Sequence, residues 1–250
     1  MGLTNKSSGL SLLKDKFNIE LKYENQPVIA LAGNPNTGKS TLFNYLTGLN
    51  QHTGNWPGKT VNNAQGYFKY KETGYLLVDL PGTYSLLANS VEEEIARDFI
   101  CFGNPSLTIV IADSTCLERN LNLILQITEL TDNVIACLNL SDEANRKGIH
   151  IDTNKLEEYL GIPVVKTVAS NGKGVDHLLN IIDKMINKKI KTTPYRLKYN
   201  DKIEALVNKI NEPLKLTFGN KYNTRWLALR LIDGDKSILR SIEEIISSNY

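Results

Sequence analysis

Continuous apolar runs recur along the chain at residues 28–32, 107–112 and 134–138, with a shorter one at 163–167. Aliphatic, β-branched runs of this kind are what parallel sheets bury on both faces, so each predicts an inner strand. Between them the period changes to that of helices. Residues 41–46 and 91–102 have helical character. A third helix follows Asp113, with Leu117, Leu121, Ile124, Leu125 and Ile127 toward the core. A fourth carries Val175, Leu178, Leu179, Ile182, Met185 and Ile186 on one face. Residues 64–70 and 75–79 flank Lys71-Glu72-Thr73-Gly74 and predict a β-hairpin feeding the sheet. Residues 51–61 are rich in Gly and Pro, hold one tryptophan and show no period, which predicts a loop; loops of this length in a compact domain are usually functional or disordered. The expectation is an α/β fold with a mixed, mostly parallel sheet of six to seven strands, helices on both faces, and a small C-terminal helical domain. Residues 1–25 form an extension with one short amphipathic turn from Leu10, Leu12, Leu13 and Phe17. Around Asn187-Lys188-Lys189-Ile190-Lys191 the chain turns basic and then meets Pro194, which divides a domain at 26–190 from one at 195–250. In the latter, Ile203, Leu206, Val207 and Ile210 mark one helix, residues 226–231 a second, and Ile238, Leu239, Ile242, Ile245 and Ile246 a third.

Composition changes this picture little. The 250 residues are 41% hydrophobic and 22% charged, with a formal net charge of +2, too mild to argue for nucleic-acid binding. No stretch approaches the ~18 apolar residues of a membrane span, and the N-terminus lacks the apolar core of a signal peptide. The three cysteines, Cys101, Cys116 and Cys137, have no metal-ligand spacing and favour reduced thiols. His52, His150 and His177 are scattered and need no special role. Glu92, Glu93 and Glu94 invite an iron-site reading, but acids in the first turn of a helix are accounted for by its dipole.

The chemistry concentrates in ordered motifs at strand ends. Gly33-Asn34-Pro35-Asn36-Thr37-Gly38-Lys39-Ser40 follows the first apolar run and opens a helix, the context a P-loop requires. Glycines let successive backbone N–H groups turn around a phosphate, and the helix N-terminus adds its own. Lys39 is placed to reach the β- and γ-phosphates, Ser40 to ligate Mg²⁺, and Thr41 begins the helix. In the loop at Gly58-Lys59-Thr60-Val61, Thr60 is the best candidate for a hydroxyl closing over the metal. Asp79-Leu80-Pro81-Gly82 ends a strand, with Asp79 placed to hold Mg²⁺ through water and the Gly82 N–H to meet a γ-phosphate. Asn139-Leu140-Ser141-Asp142 ends another. The Asp142 carboxylate can accept from the N1–H and 2-amino group of guanine, which adenine cannot offer, and Asn139 can tie this loop to the P-loop. In Val168-Ala169-Ser170, the Ala169 and Ser170 N–H groups are placed to reach the guanine O6.

Together these motifs resemble the GTPase superfamily of translation-factor type, and most of all the cytoplasmic N-terminal domain of ferrous iron transport protein B. Gly54-Asn55-Trp56-Pro57-Gly58-Lys59-Thr60-Val61 and Asp79-Leu80-Pro81-Gly82-Thr83-Tyr84-Ser85-Leu86 carry this resemblance beyond the P-loop. It covers residues 26–188 closely and is similar in position and character in the helical segment, which in this family modulates nucleotide release. The resemblance implies a P-loop GTPase that converts GTP to GDP and phosphate, with Mg²⁺, as the cytoplasmic part of a ferrous-iron transporter of the bacterial inner membrane. Its partner would be the transmembrane permease region of the same full-length polypeptide, gated by the switch loops; self-association is the other partnership considered. No nucleic acid is expected. The rival reading, a soluble potassium-dependent GTPase of ribosome or tRNA biology, predicts a basic module with stacking aromatics, and residues 195–250 have neither.

Two departures from the common pattern bear on mechanism. Leu140 and Ser141 stand where small GTPases carry a lysine-containing version, which implies weaker stacking on the base and faster exchange. Thr83 stands where Ras-like enzymes hold a water-orienting glutamine, and threonine is too short for that geometry. The resemblance implies K⁺ as the activating ion, held by Asn36 and switch carbonyls, with slow intrinsic hydrolysis. Lys39, Asn36, Thr60 and Gly82 are thus the candidate catalytic residues.

Overall fold

The apolar runs form the inner strands of one seven-stranded sheet. The structure is a computed structural model and describes residues 17–48 and 51–248; the turn expected of Leu10, Leu12 and Leu13 lies outside them. In chain order, β1 (Val28–Gly33) leads into α1 (Lys39–Thr47), followed by β2 (Gln51–Asn55), β3 (Asn62–Tyr70) and β4 (Thr73–Asp79). Next come α2 (Val91–Phe102), β5 (Leu107–Asp113), α3 (Leu117–Leu130), β6 (Val134–Asn139) and the short α4 (Ser141–Arg146). The chain continues through α5 (Thr153–Leu160), β7 (Val164–Lys166), α6 (Val175–Ile186), α7 (Asp201–Phe218), α8 (Thr224–Ile232) and α9 (Lys236–Ser248).

The strand order is β2-β3-β4-β1-β5-β6-β7. The pairs β4–β1, β1–β5, β5–β6 and β6–β7 are parallel, while β2–β3 and β3–β4 are antiparallel. Successive side chains of a strand point to opposite faces, and here both faces are covered. Ile29 and Leu31 of β1 pack with Leu42 and Phe43 of α1 and Leu178 and Ile182 of α6. Val28, Ala30 and Ala32 belong to the opposite layer, with Phe99 of α2 and Ile124 and Ile127 of α3. Burial on two sides is why these strands read as unbroken apolar runs rather than as alternation.

Residues 51–61, expected as a loop, instead begin with a strand: β2 pairs with β3 from Gln51↔Gly66 to Asn55↔Asn62. His52, Thr53, Gly54 and Asn55 are exposed, so no apolar period marks the strand. The edge of β3 supplies its hydrogen-bond partners, a tertiary contribution that local composition does not carry. Beyond Asn55 the chain does turn, with the Trp56 N–H donating to the Val61 carbonyl and the Lys59 N–H to the Trp56 carbonyl. Trp56 itself is buried, edge-on to Phe17 and Phe99 with ring centroids 6.2 and 5.6 Å away.

The C-terminal helices pack both together and onto the sheet domain. Val207 of α7 meets Ala228 and Leu229 of α8 in a small core of their own. Trp226, Leu227, Ile238, Ile242 and Ile245 join the layer containing α2 and α3. Leu206 and Leu239, two of the residues that mark these helices in the sequence, are exposed. Polar contacts reinforce this seam. The Arg97 guanidinium, fully buried on α2, binds Asp98 at 2.7 Å and Ser237 Oγ at 2.6 Å, with Asp235 at 3.4 Å. Ser241 Oγ donates to the other oxygen of Asp98 at 2.8 Å. Residues 187–200 hold neither helix nor strand and run along the sheet domain, where Glu129 accepts from the Leu197 N–H at 2.7 Å. Cys101 and Cys137 are buried and Cys116 is exposed, and none of the three is joined in a disulfide among the described residues. Among the described residues no helix is long and apolar enough to cross a membrane.

Within the helical segment, Arg225 clasps Glu204 through two hydrogen bonds of 2.7 and 2.9 Å. Those bonds, with one from the Tyr199 N–H, lower the Glu204 carboxyl from the ordinary 4.5 to about 2. A carboxyl depressed on folding stabilises above its unfolded pKa, and that contribution disappears as pH falls through the folded value. The clasp is therefore expected to loosen between pH 4.5 and about 2. Acid titration followed by helical circular dichroism should show Glu204→Gln losing the part of the wild-type transition in this window; identical acid profiles would refute the assignment.

Candidate functional site

The site lies at the carboxyl ends of the parallel strands, where α/β sheets bind ligands. The loop from β1 to α1 is held in a phosphate-cradling form by its own contacts. Thr37 Oγ1 donates to the Asn34 carbonyl at 2.9 Å, and the Leu42 N–H to the Gly38 carbonyl at 3.0 Å, opening the helix. Gly38 has φ +83°, and a Cβ there would collide with the Asn139 amide, so both conformation and space require glycine. Asn34 and Thr37 are buried, and both polar atoms of the Asn34 side chain lack a hydrogen-bond partner. Asn36 is exposed, in the left-handed conformation at φ +66° that asparagine tolerates. Ser40 and Thr41, in the first turn of α1, are also exposed.

Lys39, Thr60, Val61, Asp79, Leu80, Pro81 and Gly82 line one open cleft of about 410 Å³. Three sequence-distant motifs thus share one cavity. The Lys39 ammonium is paired with the Asp79 carboxylate. Burial raises the Asp79 pKa, and Lys39 opposes that rise by charge and hydrogen bond. Gly82 sits against the P-loop, where a Cβ on it would lie 3.5 Å from the Pro35 ring. The hydroxyls of Ser40 and Thr60 and the Asp79 carboxylate are hard oxygen donors, a set that fits Mg²⁺. The Asn36 side-chain carbonyl is likewise an oxygen donor, of the kind a K⁺ ion accepts.

Two residues near this cleft are committed elsewhere. Lys59 pairs with Glu94 of α2 at 2.9 Å, tying the loop after β2 to that helix. Thr83 is buried, its N–H on the Gly33 carbonyl at 3.2 Å, and its hydroxyl both donates to the Ser85 carbonyl and accepts from the Ser85 N–H. Its hydroxyl is engaged within its own turn. The next residues are anchored too, since the Leu86 N–H donates to Gln126 Oε1 of α3 at 2.6 Å. Glu93, one of the acids considered for iron, instead accepts from the Asn89 N–H at 3.0 Å, while Ser90 caps α2 by accepting from the Glu93 N–H. Among the described residues, no group of three or more His, Cys, Asp or Glu is placed to hold a metal ion.

The loops after β6 and β7 are tied to the P-loop through Asn139. Its amide donates to the Thr37 carbonyl at 2.9 Å, and its Oδ1 accepts from the Ala169 N–H at 2.9 Å and Thr167 Oγ1 at 3.2 Å. The tie from Asn139 to the P-loop is as expected. Ala169 differs from the expectation: its N–H, expected at the guanine O6, donates to Asn139 in this structure, while Ser170 is exposed. The reason is that Asn139 has a carbonyl as well as an amide, and the same side chain that reaches the P-loop must satisfy its oxygen. Val168 is buried and closes the loop by pairing with Lys173. Leu140, at φ +58°, caps the start of α4, and Ser141 binds the Thr167 carbonyl through its N–H and its hydroxyl, at 3.2 and 3.0 Å. Asp142 is left exposed in the first turn of α4. Motif reading missed Arg97, Gln126 and the commitment of Thr83. An unexpected arginine between Ala96 and Phe99 on an apolar helix face was the available signal for the first.

The fold and this site define a P-loop GTPase domain with a helical domain after it. A family profile described as ferrous iron transport protein B matches residues 27–182, and a second, the FeoB cytosolic helical domain, matches residues 199–249. The chain belongs to the ferrous iron transport protein B family. It is 37% identical over 240 residues to the Fe(2+) transport protein A/Fe(2+) transporter FeoB fusion protein of Porphyromonas gingivalis, covering 92% of this chain and 28% of the relative. It is 38% identical over 212 residues to the Fe(2+) transporter FeoB of Escherichia coli K12, covering 83% and 27% respectively. The chain thus spans a little over a quarter of these relatives. Among solved structures, the cytosolic domain of the T. maritima FeoB iron transporter in a GDP form superposes with a TM-score of 0.79 at 39% identity, over 87% of this chain and 86% of that one. The cytosolic domain of L. pneumophila FeoB gives 0.75 at 33%, over 88% and 97%.

Proposed function

We infer that this chain binds and slowly hydrolyses GTP as the cytoplasmic domain of a ferrous-iron transporter of the bacterial inner membrane. The observation that carries this reading is the shared cleft of Lys39, Thr60, Asp79 and Gly82, with the P-loop that Lys39 follows held by Asn139 from the end of β6. Relatives named as Fe(2+) transporters, several times longer than this chain, support the transport role and a permease region in the same polypeptide. A T. maritima relative solved in GDP and GMPPNP forms supports the nucleotide.

Ser40, Thr60 and Asp79 would hold Mg²⁺, and Asn36 K⁺; bound there, the ions offset negative charge on the phosphates. Lys39 leaves Asp79 for the β- and γ-phosphates, which also frees Asp79 for the metal's water shell. The Gly82 N–H meets the γ-phosphate, and the segment that follows it is the part that moves when this phosphate is lost. Because Thr83 is turned into its own loop, water is oriented by other groups, which suits slow intrinsic hydrolysis. Residues 26–190 act as the G domain, and 195–250 as the helical domain moderating nucleotide release.

The test is GTP hydrolysis in potassium against sodium chloride at matched ionic strength. Potassium is expected to accelerate the wild type, and Asn36→Ala to abolish that acceleration while leaving nucleotide binding largely intact. A variant whose potassium response is unchanged would remove Asn36 from this role. No phosphate release in either salt would remove the GTPase reading.

A further inference from the structure

The loop at residues 168–174, which carries the Ser170 N–H, is held at two ends. In front, the Ala169 N–H is bound by Asn139, which also holds the P-loop. Behind Ser170 the chain turns tightly: the Asn171 N–H donates to the Val168 carbonyl at 3.2 Å, and the Lys173 N–H to Asn171 Oδ1 at 3.1 Å. Gly172 completes the turn at φ +77°, and there the ring of Tyr45 leans on it. A Cβ at Gly172 would collide with the Tyr45 hydroxyl and stand 2.7 Å from its Cε2. Glycine is therefore required twice over, by its backbone angle and by the tyrosine.

Tyr45 lies on α1, the helix that begins with Lys39 and Ser40. One rigid element thus carries the phosphate-binding residues at its start and a stop for the base-reading loop a turn and a half later. Tyr45 is 51% exposed and outside both hydrophobic layers, so core packing does not explain where the ring sits. We propose that Tyr45 is a positioning residue for guanine recognition, bracing Gly172 so that the Ser170 N–H stays in place for the base O6. This rests on the guanine-nucleotide reading above. The residue touches no nucleotide itself; it acts through the loop. Its removal frees the rear of the loop while Asn139 still holds the front, so nucleotide should dissociate faster with association unaltered.

The test is the release rate of GDP and of inosine diphosphate from the full chain. Inosine retains O6 and N1–H but lacks the 2-amino group, so it loses an Asp142 contact and keeps the Ser170 one. Tyr45→Ala is expected to speed release of both nucleotides by the same factor, about twofold to tenfold, the scale of one lost aromatic contact. Tyr45→Phe, which keeps the ring over Gly172, should release both at the wild-type rate. The proposal is overturned if Tyr45→Ala releases GDP at the wild-type rate. It is equally overturned if the ratio between the two nucleotides changes, because the contact would then serve the Asp142 side. Failure of the wild type to retain GDP would instead overturn the guanine reading, so the two failures are distinct.

Discussion

Asp142→Asn is expected to weaken GDP binding by about 10²–10⁴-fold and to create affinity for xanthosine diphosphate. The carboxylate can accept two hydrogen bonds from guanine, each about 1.5–3 kcal/mol when one partner is charged. An asparagine amide at the same place keeps one acceptor but presents an NH₂ to the 2-amino group, donor against donor. Xanthine carries a carbonyl there, which accepts. The substitution should leave the loop intact, because its geometry is set by other residues: Leu140 caps α4, and Ser141 binds the Thr167 carbonyl. Asp142 is exposed and is not part of that framework. Equilibrium titration with both nucleotides decides it. A variant that binds GDP as tightly as the wild type would show that Asp142 does not read the base.

Arg97→Ala is expected to be the most destabilising single change outside the nucleotide site. Removing one partner of a buried ion network strands the others, at a cost of about 3–5 kcal/mol. Here Asp98 and Asp235 lose their buried cation and keep neutral donors, Ser241 on the first and Ser237 and Ile238 on the second, while the Ser237 hydroxyl loses its arginine contact. For a domain of this size that corresponds to a fall in Tm of roughly 6–20 °C. The location adds a second consequence. The network joins α2 to the corner between α8 and α9, so the helical domain should loosen first, seen as faster amide exchange in α9 before α2. Ser237→Ala, which removes two hydrogen bonds, from Arg97 and to Asp235, but no charge, should cost less, about 1–3 kcal/mol. Thermal unfolding of the two variants checks the order. An Arg97→Ala protein within about 1 kcal/mol of the wild type would mean that the network contributes little beyond its packing.

The same helix touches the nucleotide side. Glu94 pairs with Lys59, and Phe99 packs against Trp56, while Arg97 and Asp98 face α9. Residues close in sequence on α2 thus contact both the loop expected to close over Mg²⁺ and the helical domain. The sequence offered only the acids of its first turn and an apolar stripe.

What the sequence by itself determined was whatever depends on local chemistry at short spacing. The run Val-Ile-Ala-Leu-Ala before Gly33 and the Lys39-Ser40 pair after Gly38 specify strand, phosphate turn and helix within about fifteen residues, because period, glycine conformation and helix start are all local. Strand-end placement then put Asp79, Asn139 and Asp142 on the correct edge of the sheet, since parallel strands share a direction. Tertiary structure decided what depends on a partner far along the chain. Residues 51–55 are polar and become a strand because β3 offers them an edge. Asn139 has a carbonyl that must be satisfied in a buried site, so it takes the Ala169 N–H. Arg97 and Asp235 are separated by most of the chain and meet only when α9 docks. Apolar period and turn chemistry are written residue by residue. The pairing of buried hydrogen-bond donors and acceptors is settled only when distant segments are brought together and water is excluded.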